Sequence, residues 1–120
     1  MYKVLIADDE PEVLDGLKIL IEWDKYGFKV AGTAANGKEA LNKLNEDNYD
    51  LVVTDIRMPM LNGLELIKAI HGVDAELKII ILSGYDEFSY AKSAVELGVK
   101  AYLLKPVDQK ELQHHLINIK

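Results

Sequence analysis

Five apolar runs alternate along the chain with segments that carry apolar residues at helical spacing. The runs lie at Lys3–Ala7, Phe28–Ala34, Asp50–Asp55, Lys78–Leu82 and Ala101–Leu104. All but the second are nearly continuous in apolar residues, which is typical of strands covered on both faces. Alternation of such strands with helices favours a single parallel sheet with helices on either side.

Turn residues mark where the intervening helices begin and end. Pro11 suits the first turn of a helix, where its missing N–H needs no partner. The predicted helices run from Pro11 to about Ile21, from about Lys38 to Asn45, through Leu64, Ile67 and Ile70, from about Phe88 to Leu97, and from about Gln109 onward. Asn36-Gly37, Pro59 and Asn62-Gly63 fall in the connections, Asp86 is a candidate N-cap, and Gly98 is a suitable C-terminal stop.

Composition narrows the possible functions. The chain has 120 residues, of which 49% are hydrophobic, and this suits one domain, residues 1–120, with a sizeable core. The formal charge of -6, from 14 basic and 20 acidic residues, opposes direct binding to nucleic acid. Cysteine is absent, and no apolar stretch is long enough for a membrane span or follows a signal-peptide pattern. We therefore expect a cytoplasmic domain without membrane contact.

Charged residues follow three of the predicted strands. Asp8 and Asp9 follow the first strand, Asp55 closes the third and Lys105 follows the fifth. In an open parallel sheet these ends line one crevice, so three carboxylates and an ammonium should converge there. An isolated acidic pair before a helix is more often only a cap, but the wider pattern favours a site for a divalent cation and a phosphoryl group.

The same positions carry a family resemblance. Asp8-Asp9, Asp55 followed by Met58-Pro59 and Gly63, Ser83-Gly84, and Lys105-Pro106 together resemble the receiver domain of bacterial two-component response regulators. The resemblance runs from Lys3 to about Ile117. Residues 83–88 and 98–108 look most like receivers joined to AraC-type helix-turn-helix transcription factors. The resemblance to receiver domains implies a flavodoxin-like three-layer α/β/α sandwich with sheet order 2-1-3-4-5.

The resemblance also implies a role for each residue. Asp55 would be the phosphoacceptor, and Asp8, Asp9, Asp55 and the backbone carbonyl of Arg57 would hold Mg²⁺ (or Mn²⁺), which prefers oxygen ligands. Lys105 would neutralise charge on the phosphoryl oxygens. Ser83 would donate a hydrogen bond to the phosphoryl group, and Tyr102 would then rotate inward as a switch residue.

Two local predictions concern the crevice mouth. The Lys105-Pro106 peptide bond is predicted to be cis, so that the ammonium turns back over the strand ends. Arg57 and Tyr85 stand two residues past Asp55 and Ser83, and large side chains there should shield the phosphoryl group from water. We therefore expect slow self-dephosphorylation.

Partners and alternatives follow from the same resemblance. A sensor histidine kinase is the expected partner. The surplus of apolar residues on the first helix is a candidate docking surface, and extra burial in the core explains it equally well. Phosphorylation is expected to favour a homodimer through the fourth helix, fifth strand and last helix, with an output domain outside this chain. The domain would catalyse only its own phosphorylation and dephosphorylation, and is otherwise not an enzyme.

Other functions remain open. A stand-alone receiver or phosphorelay carrier would share every motif. A metal-dependent phosphatase of similar fold usually has an Asp two residues after its nucleophile, whereas Arg57 stands there. A nucleotide-binding module is disfavoured because no glycine-rich phosphate loop follows any strand.

Overall fold

The computed structural model describes residues 1–74, 76–84 and 88–119. The five strands are β1 (Tyr2–Ala7), β2 (Phe28–Ala34), β3 (Leu51–Asp55), β4 (Lys78–Ser83) and β5 (Ala101–Leu104). The five α-helices are α1 (Pro11–Leu20), α2 (Gly37–Glu46), α3 (Gly63–Val73), α4 (Phe88–Glu96) and α5 (Gln109–Ile119). All strand pairs are parallel, in the order β2-β1-β3-β4-β5, which confirms the predicted fold.

Alternate residues of the strands pack into two hydrophobic cores, one on each face of the sheet. Val4, Ile6 and Val53 face a cluster that contains Leu17 of α1 and Leu112 of α5. The strand residues between them face the opposite cluster, which is completed by Ala40 of α2, Leu66, Ile67 and Ile70 of α3, and Ala94 of α4. Because successive strand residues point to opposite faces, a nearly continuous apolar run buries both faces of the sheet. The result is the predicted three-layer sandwich.

One element was not predicted from the sequence, a short 3₁₀ helix at Trp23–Tyr26 between α1 and β2. The Trp23 indole is buried and donates a hydrogen bond from Nε1 to the carbonyl oxygen of Leu17 at 3.0 Å. Trp23 therefore packs against the end of α1. Four residues are too few to show helical periodicity, so the pattern gave no signal.

The helix boundaries follow from identifiable caps. Asn36 and Asn62 each accept a hydrogen bond from the backbone N–H three residues later, at the starts of α2 and α3. The Glu65 side chain in turn accepts a hydrogen bond from the backbone N–H of Asn62, which completes a capping box. Gly98 adopts φ +88 just after α4, where a residue with a side chain would be strained. The candidate cap Asp86 lies outside the described residues.

None of the helices in the described ranges is long and apolar enough to cross a membrane. The sheet order reverses direction between β1 and β3, because β2 lies on the outer side of β1. In an open parallel sheet a crevice opens at this point, above the carboxyl ends of the strands. Asp8 and Asp55 lie at the ends of these two neighbouring strands.

Candidate functional site

The two carboxylate oxygens of Asp8 accept hydrogen bonds from different donors. Oδ1 accepts a hydrogen bond from the backbone N–H of Glu10 at 3.0 Å, across the turn that leads into α1. Oδ2 accepts a hydrogen bond from Lys105 Nζ at 2.8 Å. The side chain is fully buried, and the backbone N–H of Asp8 donates to Ala34 of the neighbouring strand at 3.0 Å. Asp8 thus orders the turn and also contributes a charge to the crevice.

Lys105 joins Asp8 and Asp55 across the sheet. Its Nζ lies 2.8 Å from Asp8 Oδ2 and 3.4 Å from Asp55 Oδ1. Its backbone N–H donates to the carbonyl oxygen of Ser83 at 2.8 Å, which continues the pairing of β5 with β4. The peptide bond between Lys105 and Pro106 is cis, the geometry expected from the sequence. The ammonium therefore points into the crevice and not to solvent.

The two carboxylates control the charge of Lys105. Burial by itself would lower the pKa of the lysine, because it disfavours the charged form. The hydrogen bond to Asp8 and the negative charges of Asp55 and Asp8 outweigh this effect, so the pKa is raised above its ordinary value. The ammonium is consequently charged throughout the neutral range and is not a general base.

Asp9 completes a group of three carboxylates. Oxygen atoms of Asp8, Asp9 and Asp55 lie within 4.8 Å of one another, with Asp9 exposed and the other two buried. Hard carboxylate oxygens at this spacing suit Mg²⁺, which retains several waters and binds few protein ligands. The exposed Asp9 leaves the group accessible from solvent. The residues present therefore fit a magnesium site.

Ser83 presents a hydroxyl group that has no partner among the residues the structure describes. The side chain is fully buried at the end of β4, and its Oγ has no hydrogen-bond partner within the described part of the chain. Thr54, equally buried on β3, donates its hydroxyl to the carbonyl oxygen of Asp55 at 3.0 Å. Buried hydroxyl groups are normally paired, and leaving one unpaired costs about 1 to 3 kcal/mol. Ser83 is thus a donor suited to a group that enters the crevice.

The remaining predicted site residues lie around this centre. Tyr102 is half-buried on β5 opposite Ile81 and packs against the core cluster of α2, α3 and α4. Arg57 is exposed in the loop after β3 and lines an open cavity of about 390 Å³ with Asp9 and Asn62. Tyr85 lies outside the described residues. The structure therefore brings Asp8, Asp9, Asp55 and Lys105 together, with Arg57 at the rim.

Thr54 was not predicted from the sequence as part of the site, and Met58 was noted only as part of the family motif. The Thr54 hydroxyl lies 3.9 Å from Met58 Sδ while it donates to the Asp55 carbonyl oxygen, so it holds the first turn of the loop after β3. A threonine inside an apolar run is ordinary strand composition. Only its position directly before Asp55 could have drawn attention to it.

Comparison with known proteins places this geometry in a family. The chain is 46% identical over 112 residues to the uncharacterized transcriptional regulatory protein YesN of Bacillus subtilis, covering 93% of this chain and 30% of that protein. It is 45% identical over 113 residues to the transcriptional regulatory protein HptR of Staphylococcus aureus, covering 94% of this chain and 44% of that protein. The chain thus spans less than half the length of these relatives.

Solved structures agree in fold along nearly the whole chain. The receiver domain of AraT, a response regulator from Geobacillus stearothermophilus, superposes with a TM-score of 0.93 at 37% identity, over 98% of this chain and 92% of that one. A two-component transcriptional regulator AraC from Clostridium phytofermentans gives 0.90 at 30% identity, over 99% and 92%. Residues 4–117 match the family model described as the response regulator receiver domain, and this chain belongs to that family.

Proposed function

We propose that this domain is a phosphorylation-dependent switch that accepts a phosphoryl group on Asp55 from a sensor histidine kinase. The observation that carries the proposal is the position of Lys105 Nζ, within 3.4 Å of Asp55 and 2.8 Å of Asp8. Lysine at a solvent-facing strand end normally extends into water, whereas this ammonium turns toward two carboxylates. Beside a carboxylate nucleophile it is suited to stabilise an incoming phosphoryl group.

The proposed reaction is a direct displacement at phosphorus. One carboxylate oxygen of Asp55 forms a P–O bond while the bond from phosphorus to the donor's leaving group breaks, and the leaving group keeps the electron pair and takes up a proton from solvent. Lys105 pairs with the phosphoryl oxygens, and the Ser83 hydroxyl donates a hydrogen bond to one of them. Mg²⁺ held by Asp8, Asp9, Asp55 and the Arg57 carbonyl would supply further neutralisation of phosphoryl charge.

The proposed switch couples this reaction to the surface. Movement of Ser83 toward the phosphoryl group opens space behind β4, and Tyr102 on the adjacent strand rotates into it. The α4-β5-α5 face exposes apolar side chains on each of its elements, among them Val95, Leu104 and Ile117. Exposed apolar residues on one face support a homodimer whose population phosphorylation increases.

The proposed partners and output rest on the family. Ile19 of α1 leaves 85% of its surface exposed, which supports docking of the kinase on this helix. The relatives are named transcriptional regulatory proteins and are more than twice as long as this chain, which supports transcriptional output through an attached domain. We place the protein in the cytoplasm, where a kinase and DNA are both accessible. A stand-alone receiver or phosphorelay carrier is the second candidate, because the site would be the same.

Phosphorylation of the purified domain with a small acyl phosphate and Mg²⁺, followed by intact mass, tests the proposal. One phosphoryl group should be added, and Asp55→Asn should abolish the addition. Asp50→Asn is the matched control, because Asp50 is exposed at the opposite end of the same strand and accepts a hydrogen bond from the Lys3 backbone. Labelling of the Asp55→Asn protein, or full labelling when the metal is chelated, would contradict the assignment.

A further inference from the structure

Gly37 stands in unusually close contact with the loop that follows the phosphoacceptor strand. It is the first residue of α2 and is buried. A methyl group added at its Cα would lie 1.9 Å from the carbonyl oxygen of Leu61 and 2.7 Å from Leu61 Cβ. Distances below 3.0 Å are not tolerated, and the closest atom belongs to the backbone. The first turn of α2 therefore rests directly on the backbone of the β3-α3 loop.

That loop contains a strained turn. Met60 has φ +71, in the left-handed region, and the N–H of Leu61 donates to the carbonyl oxygen of Pro59 at 2.8 Å. A hydrogen bond from residue i+2 to residue i around a positive φ is the geometry of the rare γ-turn. A residue other than glycine in this region costs on the order of 1 to 3 kcal/mol and persists only where its surroundings enforce it.

The two ends of the loop are fixed by other contacts. The N–H of Ile56 donates to the carbonyl oxygen of Leu82 at 3.0 Å, and the capping box of Asn62 fixes the start of α3. Between these points lie Arg57, whose carbonyl is the proposed metal ligand, and the strained Met60. The contact of Leu61 with Gly37 connects the loop to α2.

We propose that Gly37 is a positioning residue for phosphoryl transfer: the missing side chain lets α2 brace the loop at Leu61 and so sets the position of the Arg57 carbonyl and of Asp55. The inference rests on the proposed function. The brace is itself anchored, because Asn36 Oδ1 accepts from the N–H of Glu39 at 2.8 Å and so holds the first turn of α2. A rigid helix end thus opposes the relaxation of the strained turn.

Gly37→Ala tests the brace. Its methyl group can reach the 3.4 Å of ordinary contact with the Leu61 oxygen only after a displacement of roughly 1.5 Å. Because a misplacement of about 1 Å can cost roughly a hundredfold in rate, we expect a fall of that order in phosphorylation by the acyl phosphate. Mg²⁺ affinity, measured by calorimetric titration, should weaken as well. Gly16→Ala is the matched control, because a methyl group on exposed Gly16 of α1 meets nothing within 4 Å.

A double variant distinguishes the backbone contact from side-chain packing. Gly37→Ala combined with Leu61→Ala should recover neither the phosphorylation rate nor the Mg²⁺ affinity, since the clashing oxygen belongs to the Leu61 backbone and remains. Recovery would overturn the brace as stated. A purely structural role would lower the unfolding temperature of Gly37→Ala and leave Mg²⁺ affinity and rate of the folded protein within twofold of wild type, which would also overturn it.

The outcomes separate the brace from the proposed function. A wild-type domain that is never phosphorylated on Asp55 refutes the function, while the Mg²⁺ titrations of the two variants still decide the brace. If Gly37→Ala does not fold, Asn36→Ala removes the cap of the same helix turn without adding a clash. Its loss of about 1 kcal/mol in helix-end stability predicts a Mg²⁺ affinity weaker by roughly fivefold, and an unchanged affinity would overturn the inference.

Discussion

Replacement of Lys105 by methionine should destabilise the metal-free domain and make its stability depend on Mg²⁺. The ammonium pairs with Asp8 at 2.8 Å and Asp55 at 3.4 Å, and Asp8 is fully buried. Methionine is one atom shorter than lysine and keeps a similar unbranched stem, but it removes the charge and the hydrogen bond to Asp8. Three carboxylates within 4.8 Å of one another would then repel without the charge of Lys105 beside them.

The expected magnitude follows from the burial of the pair. Removing one partner of a buried ion pair costs roughly 3 to 5 kcal/mol, because the remaining charge is left uncompensated. Lys105 retains 22% of its side-chain exposure, so solvent screens part of the effect and we expect about 3 kcal/mol. With a urea dependence of about 1 to 3 kcal/mol per molar, the midpoint should fall by roughly 1 to 3 M.

Urea unfolding followed by circular dichroism measures this change. Lys100→Met is the control, because Lys100 is exposed at the turn before β5. Saturating Mg²⁺ should stabilise Lys105→Met more than wild type, since the cation replaces the lost charge. A ligand present at a hundred times its dissociation constant adds about 2.7 kcal/mol to the free energy of unfolding.

The pH dependence has a definite sign. The pKa of Lys105 is raised above its ordinary 10.5, so its contribution to stability is complete below that value and is lost as the pH rises through the folded-state pKa. The difference between wild type and Lys105→Met should therefore be constant near neutral pH and shrink in strong base. A free energy of unfolding for Lys105→Met within about 0.5 kcal/mol of the wild-type value, which is the scale of a surface substitution, would refute the reasoning. Equal stabilisation of both proteins by Mg²⁺ would refute it as well.

Three further outcomes are expected. Ser83→Ala should raise the free energy of unfolding of the unphosphorylated domain by about 1 kcal/mol, because it removes a buried hydroxyl without a partner in the described structure. The same change should weaken phosphorylation-dependent dimerisation in gel filtration. A lower free energy of unfolding would show that the hydroxyl is paired. Replacing Arg57 with Asn and Tyr85 with Glu should speed loss of the phosphoryl group by roughly tenfold, a barrier change of about 1.4 kcal/mol, whereas an unchanged decay by intact mass would contradict shielding. The domain alone should give no gel shift with DNA at physiological salt, since its charge is -6; a salt-sensitive shift would contradict this.

The sequence by itself determined the strands and the three segments that supply the site, whereas the order of the strands in the sheet followed from the resemblance to receiver domains. Near-continuous apolar runs such as Lys78–Leu82 require burial on both faces, and the described structure buries them so. Carboxylates and a lysine at the ends of such strands must share one edge of the sheet, which brought Asp8, Asp55 and Lys105 together before any coordinates. These features are periodic or local, so they can be recognised in a linear pattern.

Tertiary structure decided how these residues divide their contacts. Which oxygen of Asp8 orders the turn and which pairs with Lys105 depends on atoms 97 positions apart in the chain. The burial of Ser83 Oγ away from any partner in the described ranges and the approach of Gly37 to Leu61 depend likewise on the packing of distant elements. Asn36-Gly37 could be recognised as a turn signal, but not as the place where α2 meets the β3-α3 loop. Such contacts arise only when the layers close on one another, because packing at near-crystalline density leaves no room for a methyl group.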